Sequence, residues 1–600
     1  MATDATITVP ATSLALPGGG WLPFLRQFFR LAGGYWRDDG AWRARGLALL
    51  LVILTVGQVA LVVALNHWTQ GLFDALEQRA LDRFVLLTGL LGLIIVGNVG
   101  VVTLHLRVRR RIQVDWRAWL TRSVVDEWMR AGRHYQVSLT PGEHDNPDGR
   151  IAEDVRIATE YAIDLAHSLF YCIILLVSFT QILWVLSEAL RIRLGEAYMH
   201  VPGLLVWVAL LYSLTGSTVA FVLGRPLVRA ANNRQTWEAN FRFGLVHGRE
   251  NSLAIALLRG EGEERRRFLS LFRGAVRAWD GQTAALTNIF LFTGVWSVLS
   301  QVFPILVAAP HYIAGVITLG VLMQTAQAFQ QMTAALAWPI DNLAHAADWR
   351  ASVERVQGLQ DALTRLRQEA LSPEARHIDC APSERPILTF EDCSIATPSG
   401  APLVDAFSVA IHPGDRVLVA GDATVIAALF KVVAGLWPWG SGRVTLPCDA
   451  RPFFVPPRTY LPVSPLGDAV NYPAPPGTFD SAAVRGALLR VGLDHLMARL
   501  DEIDNWDGTL TIDEQQRLGF ARLLLHRPSW IFIQEATDVL DTRGEEEMVA
   551  LLADEFAEAT IVMTGRGPAL QALRTRTLTV RRTNGSAIVR ELAPSAALPT

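Results

Sequence analysis

A membrane α-helical domain of six spanning helices, followed by a soluble α/β domain, is the architecture predicted for this 600-residue chain. Three observations predict it. Hydrophobic residues make up 51% of the sequence, more than an ordinary soluble protein carries. Six stretches are long and apolar enough to cross a bilayer, against a requirement of about 20 residues each. After residue 370 the composition turns to proline, charge and strand-like alternation.

The chain begins MATDATITVPATSLALPGGG, which lacks a basic n-region and contains Asp4, so residues 1–24 read as a disordered cytoplasmic tail and not as a cleaved signal. The expected spans cover 46–66, 84–104, 165–187, 201–223, 285–309 and 314–338. Arg43 and Arg45 precede the first, and Arg107, Arg109, Arg110, Arg111, Arg117 and Arg122 follow the second, which places both termini on the cytoplasmic side. Long charged segments at 105–164 and 224–284 read as helical stalks that leave the membrane. The transmembrane domain with its stalks is expected over 25–365, a linker over 366–385, the soluble domain over 386–592 and a tail over 593–600.

A net charge of −3 supplies no field for nucleic acid. Lys431 is the only lysine, every other basic side chain being arginine apart from the histidines. Cys172, Cys380, Cys393 and Cys448 show no CxxC spacing, which fits a reducing compartment, and no metal cluster is expected.

The soluble domain opens with ILTFEDCSIA and FSVAIHPGDRVLVAG, then runs through AGLWPWGSGRV to LTIDEQQRLGFARLLLHRPSWIFIQEATDVLD. This order resembles the nucleotide-binding domain of an ABC transporter. In the membrane part, HDNPDGRIAEDVRIATE (144–160), GRPLVRAANNRQTWEANFRFGLVHGREN (224–251) and FPILVAAPHYIAGVITLGVLMQTAQAF (303–329) resemble bacterial half-transporters with fused permease and ATPase. That group is related to the SbmA/BacA peptide transporters and, more distantly, to peroxisomal fatty-acyl half-transporters. The resemblance covers residues 25 to 590 and implies six helices of the exporter-type ABC fold, a dimer in a bacterial inner membrane, and ATP with Mg²⁺ as fuel.

Residue by residue, the implied nucleotide contacts fail. A GxxxxGK[ST] loop needs glycines so that N–H groups converge on phosphate, and a lysine to neutralise it. Here it reads Gly421, Asp422, Ala423, Thr424, Val425, Ile426, Ala427, Ala428; the lysine position falls on Ile426 or Ala427, and Asp422 adds repulsion. Gln534 stands where the family has its metal-binding aspartate, Glu535 keeps the general-base position, the Q-loop position falls on Pro457 and the switch histidine position on Arg566. The signature is Leu510, Thr511, Ile512, Asp513, Glu514, Gln515, which sets a carboxylate at Asp513 where the family has a glycine amide facing the γ phosphate. At about 1.5–3 kcal/mol per charged hydrogen bond, three lost contacts cost roughly 4–9 kcal/mol, enough to turn a micromolar site millimolar or weaker. A folded domain without ATPase activity and without bound cofactor is therefore expected. Two readings stay open beside it: the degenerate half of a heterodimer with an intact partner, and a membrane scaffold that transports nothing.

Other candidates are local. Asp145, Asn146, Asp148, Arg150, Glu153 and Asp154 fall where the family has its first coupling helix, and their capping chemistry alone explains part of the pattern. Gln324, Gln327 and Gln331 share one face of the last span, where they either line a substrate cavity or hydrogen-bond a neighbouring helix. Carboxylates at the span edges, Glu188, Glu196, Glu238, Glu250, Asp341 and Asp348, are the candidates for proton coupling, with Glu238 and Glu250 also expected to pair with stalk arginines. A peptide or another amphipathic solute is the expected cargo.

Overall fold

The computed structural model describes residues 20–38, 40–140, 146–188, 192–194, 197–199, 201–371, 377–448, 450–583 and 586–592. It divides into two compact units, Met1–Val124 with Asn146–Gln357, and Val125–Asp145 with Gly358–Thr600. Residues 1–19 and 593–600, Asp145 and Glu196 lie outside the described residues; the end of the expected N-terminal tail is instead helical, Trp21–Phe24 opening α1 with Phe24 buried by its apolar packing.

The first unit is helical. Helix α1 (Trp21–Gly33) buries Phe24, Phe28, Leu31 and Ala32, one stripe at i, i+4, i+7 and i+8. Helices α2 (Ala41–Glu77) and α3 (Leu81–Met129) follow, and α3, at 49 residues, is about 74 Å long at 1.5 Å per residue. After α4 (Arg133–Leu139), which belongs to the second unit, come the turn α5 (Pro147–Gly149) and α6 (Val155–Ser187). A small hairpin of β1 (Ile192–Leu194) and β2 (Ala197–Met199) precedes α7 (Leu204–Glu250). The unit then runs through α8 (Ser252–Leu257), α9 (Glu261–Ile313), α10 (Leu319–Asp341) and most of α11 (Leu343–Leu371). Helices of 47 and 53 residues at α7 and α9 are the long stalks expected from the charged segments.

Among the described residues, five helices are long and apolar enough to span a membrane: α2, α3 with its continuation, α6, α7 and α9. The expected sixth span is helical, as α10, yet too polar to join them. The reason is its place: α10 touches α2, α6, α7 and α9, so its buried face meets protein, and Phe329, Met332 and Ala335 join the bundle core with Phe179, Leu183 and Tyr212. A helix screened from lipid by its neighbours need not be apolar all round.

The second unit is α/β. Its strands are β3 (Asp379–Ser383), β4 (Leu388–Ala396), β5 (Pro402–Ile411), β6 (Arg416–Gly421), β7 (Gly440–Pro447) and β8 (Pro452–Val455). After the short pair of β9 (Ser464–Pro465) and β10 (Ile503–Asp504) come β11 (Trp530–Gln534), β12 (Thr560–Thr564), β13 (Arg576–Thr583) and β14 (Ser586–Leu592). Ten of these form one sheet in the order β3-β7-β4-β5-β14-β13-β6-β12-β11-β8. The run β13-β6-β12-β11-β8 is parallel throughout, and its central strands WIFIQ and TIVMT are apolar on both faces because both faces are covered. Helices α12 (Ala423–Val433), α13 (Leu466–Asn471), α14 (Ser481–Arg490), α15 (Trp506–Thr509), α16 (Ile512–His526), α17 (Thr542–Glu555) and α18 (Pro568–Ala572) supply that cover in two cores, one centred on Trp506, Phe520 and Ile531, the other on Val425, Phe430 and Phe532.

The expected linker over 366–385 is shorter than its composition suggested. Helix α11 runs to Leu371, and β3 already pairs with β7 from Asp379. The proline-rich character of the stretch marks strand ends, Pro382 sitting in an edge strand where its missing N–H costs nothing.

Candidate nucleotide site and coupling helix

The place where a phosphate loop would lie is the junction of β6 and α12, and it holds almost no loop. Gly421 ends the strand at φ +135, Asp422 is the N-cap, and the helix begins at Ala423. Asp422 Oδ1 accepts the backbone N–H of Thr424 at 2.9 Å and of Val425 at 3.2 Å. These donors are the ones a phosphate would take at a helix N-terminus. The chain fills its own anion site with its own carboxylate, which Arg582 faces from β13 at 3.7 Å. Ile426, at the lysine position, is 4% exposed and belongs to the core, as does Val425; Ala427 is half-buried and Thr424 exposed. Asp422, read from the sequence as repulsive, is thus the cap of α12. The signal was present, since aspartate ahead of an apolar helix is a cap pattern.

Lys431 does not reach back. It lies two turns into α12, with its ammonium 5.4 Å from the Tyr135 ring and 5.3 Å from the Trp437 ring.

At the end of β11, Gln534 and Glu535 are half-buried, and Glu535 adopts φ +48 with its N–H donated to Thr564 O. Glu535 shares a groove of about 390 Å³ with Gly421, Asp538, Arg566 and Gln571. Arg566 is exposed, and its backbone N–H donates to Asp538 at 2.9 Å. Gln534 is neutral and cannot offset Mg²⁺ charge. Pro457 offers only its carbonyl, which accepts from the Gln516 amide at 2.5 Å and so ties this segment to α16. Among the described residues lining this groove there is no lysine, its aspartate Asp538 accepts the Arg566 amide, the metal-ligand position holds Gln534, and the loop donors are taken, so the residues present do not fit MgATP.

The signature segment repeats the pattern. Thr511 caps α16 in a reciprocal box with Glu514: the Glu514 N–H donates to the Thr511 hydroxyl, and Glu514 Oε2 accepts the Thr511 N–H at 2.8 Å. Burial pushes the Glu514 carboxyl up, but these bonds and the His495 ring at 2.9 Å outweigh it, and its pKa is lowered. Asp513 pairs with Arg517 at 3.0 Å, and Arg517 also holds Glu547 at 3.1 Å. Gln515 is buried and donates to the Asp507 and Leu510 carbonyls. Both helix N-termini that would face a nucleotide therefore carry built-in carboxylates.

The expected coupling residues divide. Asn146, Asp148 and Glu153 are exposed, whereas Arg150 and Asp154 are buried inside the first unit. Asp154 accepts two bonds from Arg355 of α11, at 2.8 and 2.5 Å, and Arg150 donates to the Arg355 carbonyl. These two fasten α11 to the start of α6 within the first unit, which gives both a structural role there. The segment that does join the soluble unit is α4. Gln136 donates to Leu436 O at 3.5 Å, Leu139 packs on the Val425 and Phe430 core, and Gly132, at φ +72, lets Leu436 lie where a Cβ would be 2.3 Å from its methyl. Nothing in RHYQVSL announces this, because its apolar positions are few.

Since Lys431 carries the only side-chain amine, this contact can be watched chemically. Amine-reactive labelling of Lys431 in the intact protein is expected to rise about two- to tenfold on Tyr135→Ala, the loss of one cation–π contact of about 0.5–1 kcal/mol together with its steric cover. Peptide mass spectrometry reads the rate, and an unchanged rate would show that α4 does not cover the lysine.

The glutamine stripe is also placed. Gln324 is 2% exposed and contacts the His67 ring at 3.1 Å, and Gln327 accepts from Asn66 at 3.1 Å, so both bind α2. Gln331 is half-buried. Glu238 accepts from Trp279 Nε1 at 2.8 Å instead of pairing with an arginine; among the described residues Glu250 has no ion pair either.

Comparison with known proteins agrees with this architecture. Residues 40–310 match the ABC transporter transmembrane region 2 family. The chain is similar to the inner membrane ABC transporter ATP-binding protein YddA of Escherichia coli (strain K12), 26% identical over 94% of this chain and 97% of that one. It is also similar to ABC transporter D family member 2, chloroplastic, of Arabidopsis thaliana, 24% identical over 87% and 81%. A solved bacterial Atm1-family ABC exporter with ATP bound superimposes with a TM-score of 0.65 at 17% identity, covering 92% of this chain and 95% of that one. The fold is that of an Atm1-type exporter, a helical transmembrane region followed by an α/β domain of the nucleotide-binding type, and over most of its length the chain is similar to ABC transporter ATP-binding proteins.

Proposed function

We propose that this half-transporter moves a peptide-like or amphipathic solute as a dimer in a bacterial inner membrane, with both termini cytoplasmic, while its own nucleotide-binding domain neither binds nor hydrolyses ATP at useful occupancy. The observation that carries the reading is Asp422, whose carboxylate already holds the Thr424 and Val425 amides at the head of α12. A triphosphate arriving there meets a fixed negative charge and finds the two donors occupied. The missing lysine, Gln534 and the self-capped α16 support the same conclusion from separate elements. The fold of the domain is kept, and α4 stays docked on it, so a structural and conformational role survives the loss of fuel. The sequence likeness to SbmA/BacA transporters supports the solute class.

Titration of the purified full-length protein with a fluorescent ATP analogue and Mg²⁺ tests this. No saturable binding is expected up to millimolar nucleotide. Saturation in the micromolar range would overturn the reading and return the chain to ATP-driven transport, as one half of a heterodimer or otherwise.

A further inference from the structure

Between α7, α9 and α10 the membrane unit holds a groove of about 290 Å³ whose lining includes, of the residues singled out from the sequence, Asp341 alone. Its floor is aromatic. The Tyr212 and Trp296 rings are stacked with centroids 4.2 Å apart, and the Tyr212 hydroxyl is spent on the Trp296 carbonyl at 3.0 Å, which fixes the platform. Gly216 makes room for it: a Cβ there would sit 2.4 Å from the Trp296 ring, so the close approach of α9 to α7 depends on this glycine.

Polar groups converge on the same groove without partners. Ser213 Oγ is buried and makes no hydrogen bond, and the Gln330 side chain makes none among the described residues. Asp341, at the end of α10, is the single charged residue lining the groove and forms no ion pair among the described residues. Unsatisfied groups in a membrane protein call for an occupant, and a carboxylate at a span edge calls for a positive one. Gln330 is one residue from the stripe read from the sequence. A step of one residue turns it by about 100° on the helix, away from α2 and into the groove.

We propose that this groove is a solute site for a small organic cation with a flat apolar part: the plane lies on Tyr212 and Trp296, the positive charge faces Asp341, and Ser213 and Gln330 take its hydrogen-bonding groups. The proposal rests on the transport reading above and names the kind of solute. Aromatic faces attract cations as well as planes, so the two recognition elements reinforce each other. The volume limits the occupant to a molecule of one or two fused rings.

Equilibrium dialysis of the full-length protein in phosphatidylcholine nanodiscs, without nucleotide, against N-methylquinolinium and its neutral isostere 1-methylnaphthalene tests the site. Saturable binding of the cation is expected. Asp341→Asn is expected to weaken the cation by about tenfold and leave the neutral compound unchanged, Asp341→Glu to restore it, and Trp296→Leu to weaken both. Absence of saturable cation binding, or equal cation affinity in Asp341→Asn, would overturn the proposal. Because no ATP is present, these results are independent of the nucleotide titration: micromolar ATP binding would remove the fuel-free reading and leave the solute site standing.

Discussion

Gly421→Ala is expected to destabilise the soluble unit by about 3 kcal/mol or more and to lower its melting temperature by about 6–12 °C. In the family this glycine begins the phosphate loop, and its retention looks like a relic of nucleotide binding. The structure gives it another reason. At φ +135 an L side chain is strained, and a Cβ would stand 2.0 Å from the Val580 carbonyl oxygen of the neighbouring strand. Neither atom can yield cheaply, because β6 is held between β13 and β12 in the parallel core and Asp422 N–H itself approaches Val580 O at 3.4 Å. Differential scanning fluorimetry against wild type measures the shift. Asp422→Ala serves as the comparison: losing a cap costs only about 1 kcal/mol, so it is expected to move the transition far less. A glycine kept for nucleotide alone would show the opposite order, with Gly421→Ala silent in a protein that binds none.

Much of this architecture was legible because it is written in local composition. The strand WIFIQ is apolar at every position but its last, and a run of that kind can only be buried on both faces. The long stalks follow from charge distributed along helix-permissive sequence, and the short junction of β6 and α12 follows from an aspartate cap set directly ahead of an apolar helix. What escaped depends on contacts far apart in the chain. Gln324 and Gln327 were on the correct shared face, but whether that face met water or α2 was decided by Asn66 and His67, more than 250 residues earlier. The docking of α4 rests on Tyr135, Gln136 and Leu139 meeting Lys431, Leu436 and the core of the α/β sheet. No periodicity in a seven-residue helix encodes that. Lys431 itself stood out as the lone lysine, and only its two aromatic neighbours explain an ammonium in an otherwise arginine-built chain.

Asp154→Ala is expected to lower the stability of the membrane unit by about 2–3 kcal/mol, with no effect on Lys431 labelling. Asp154 is 9% exposed at its side chain and accepts two bonds from Arg355, 201 residues later, the bidentate geometry in which a guanidinium binds a carboxylate best. Removing the acid leaves Arg355 without its main partner, but that side chain is 44% exposed and water takes up part of the loss, which keeps the effect below that of a fully buried pair. Arg355→Met leaves the buried carboxylate alone and is expected to cost at least as much. In the double variant the two costs are expected to fall short of their sum by about 1–3 kcal/mol, the signature of a direct pair. Thermal unfolding in detergent at one fixed scan rate gives the comparison, and Lys431 labelling gives the second readout. Additive losses would deny the pair. An unchanged transition with faster labelling would restore the role that the sequence position of Asp154 suggested, a contact serving the soluble domain, whereas a lowered transition with unchanged labelling makes it the fastening of α11 to α6.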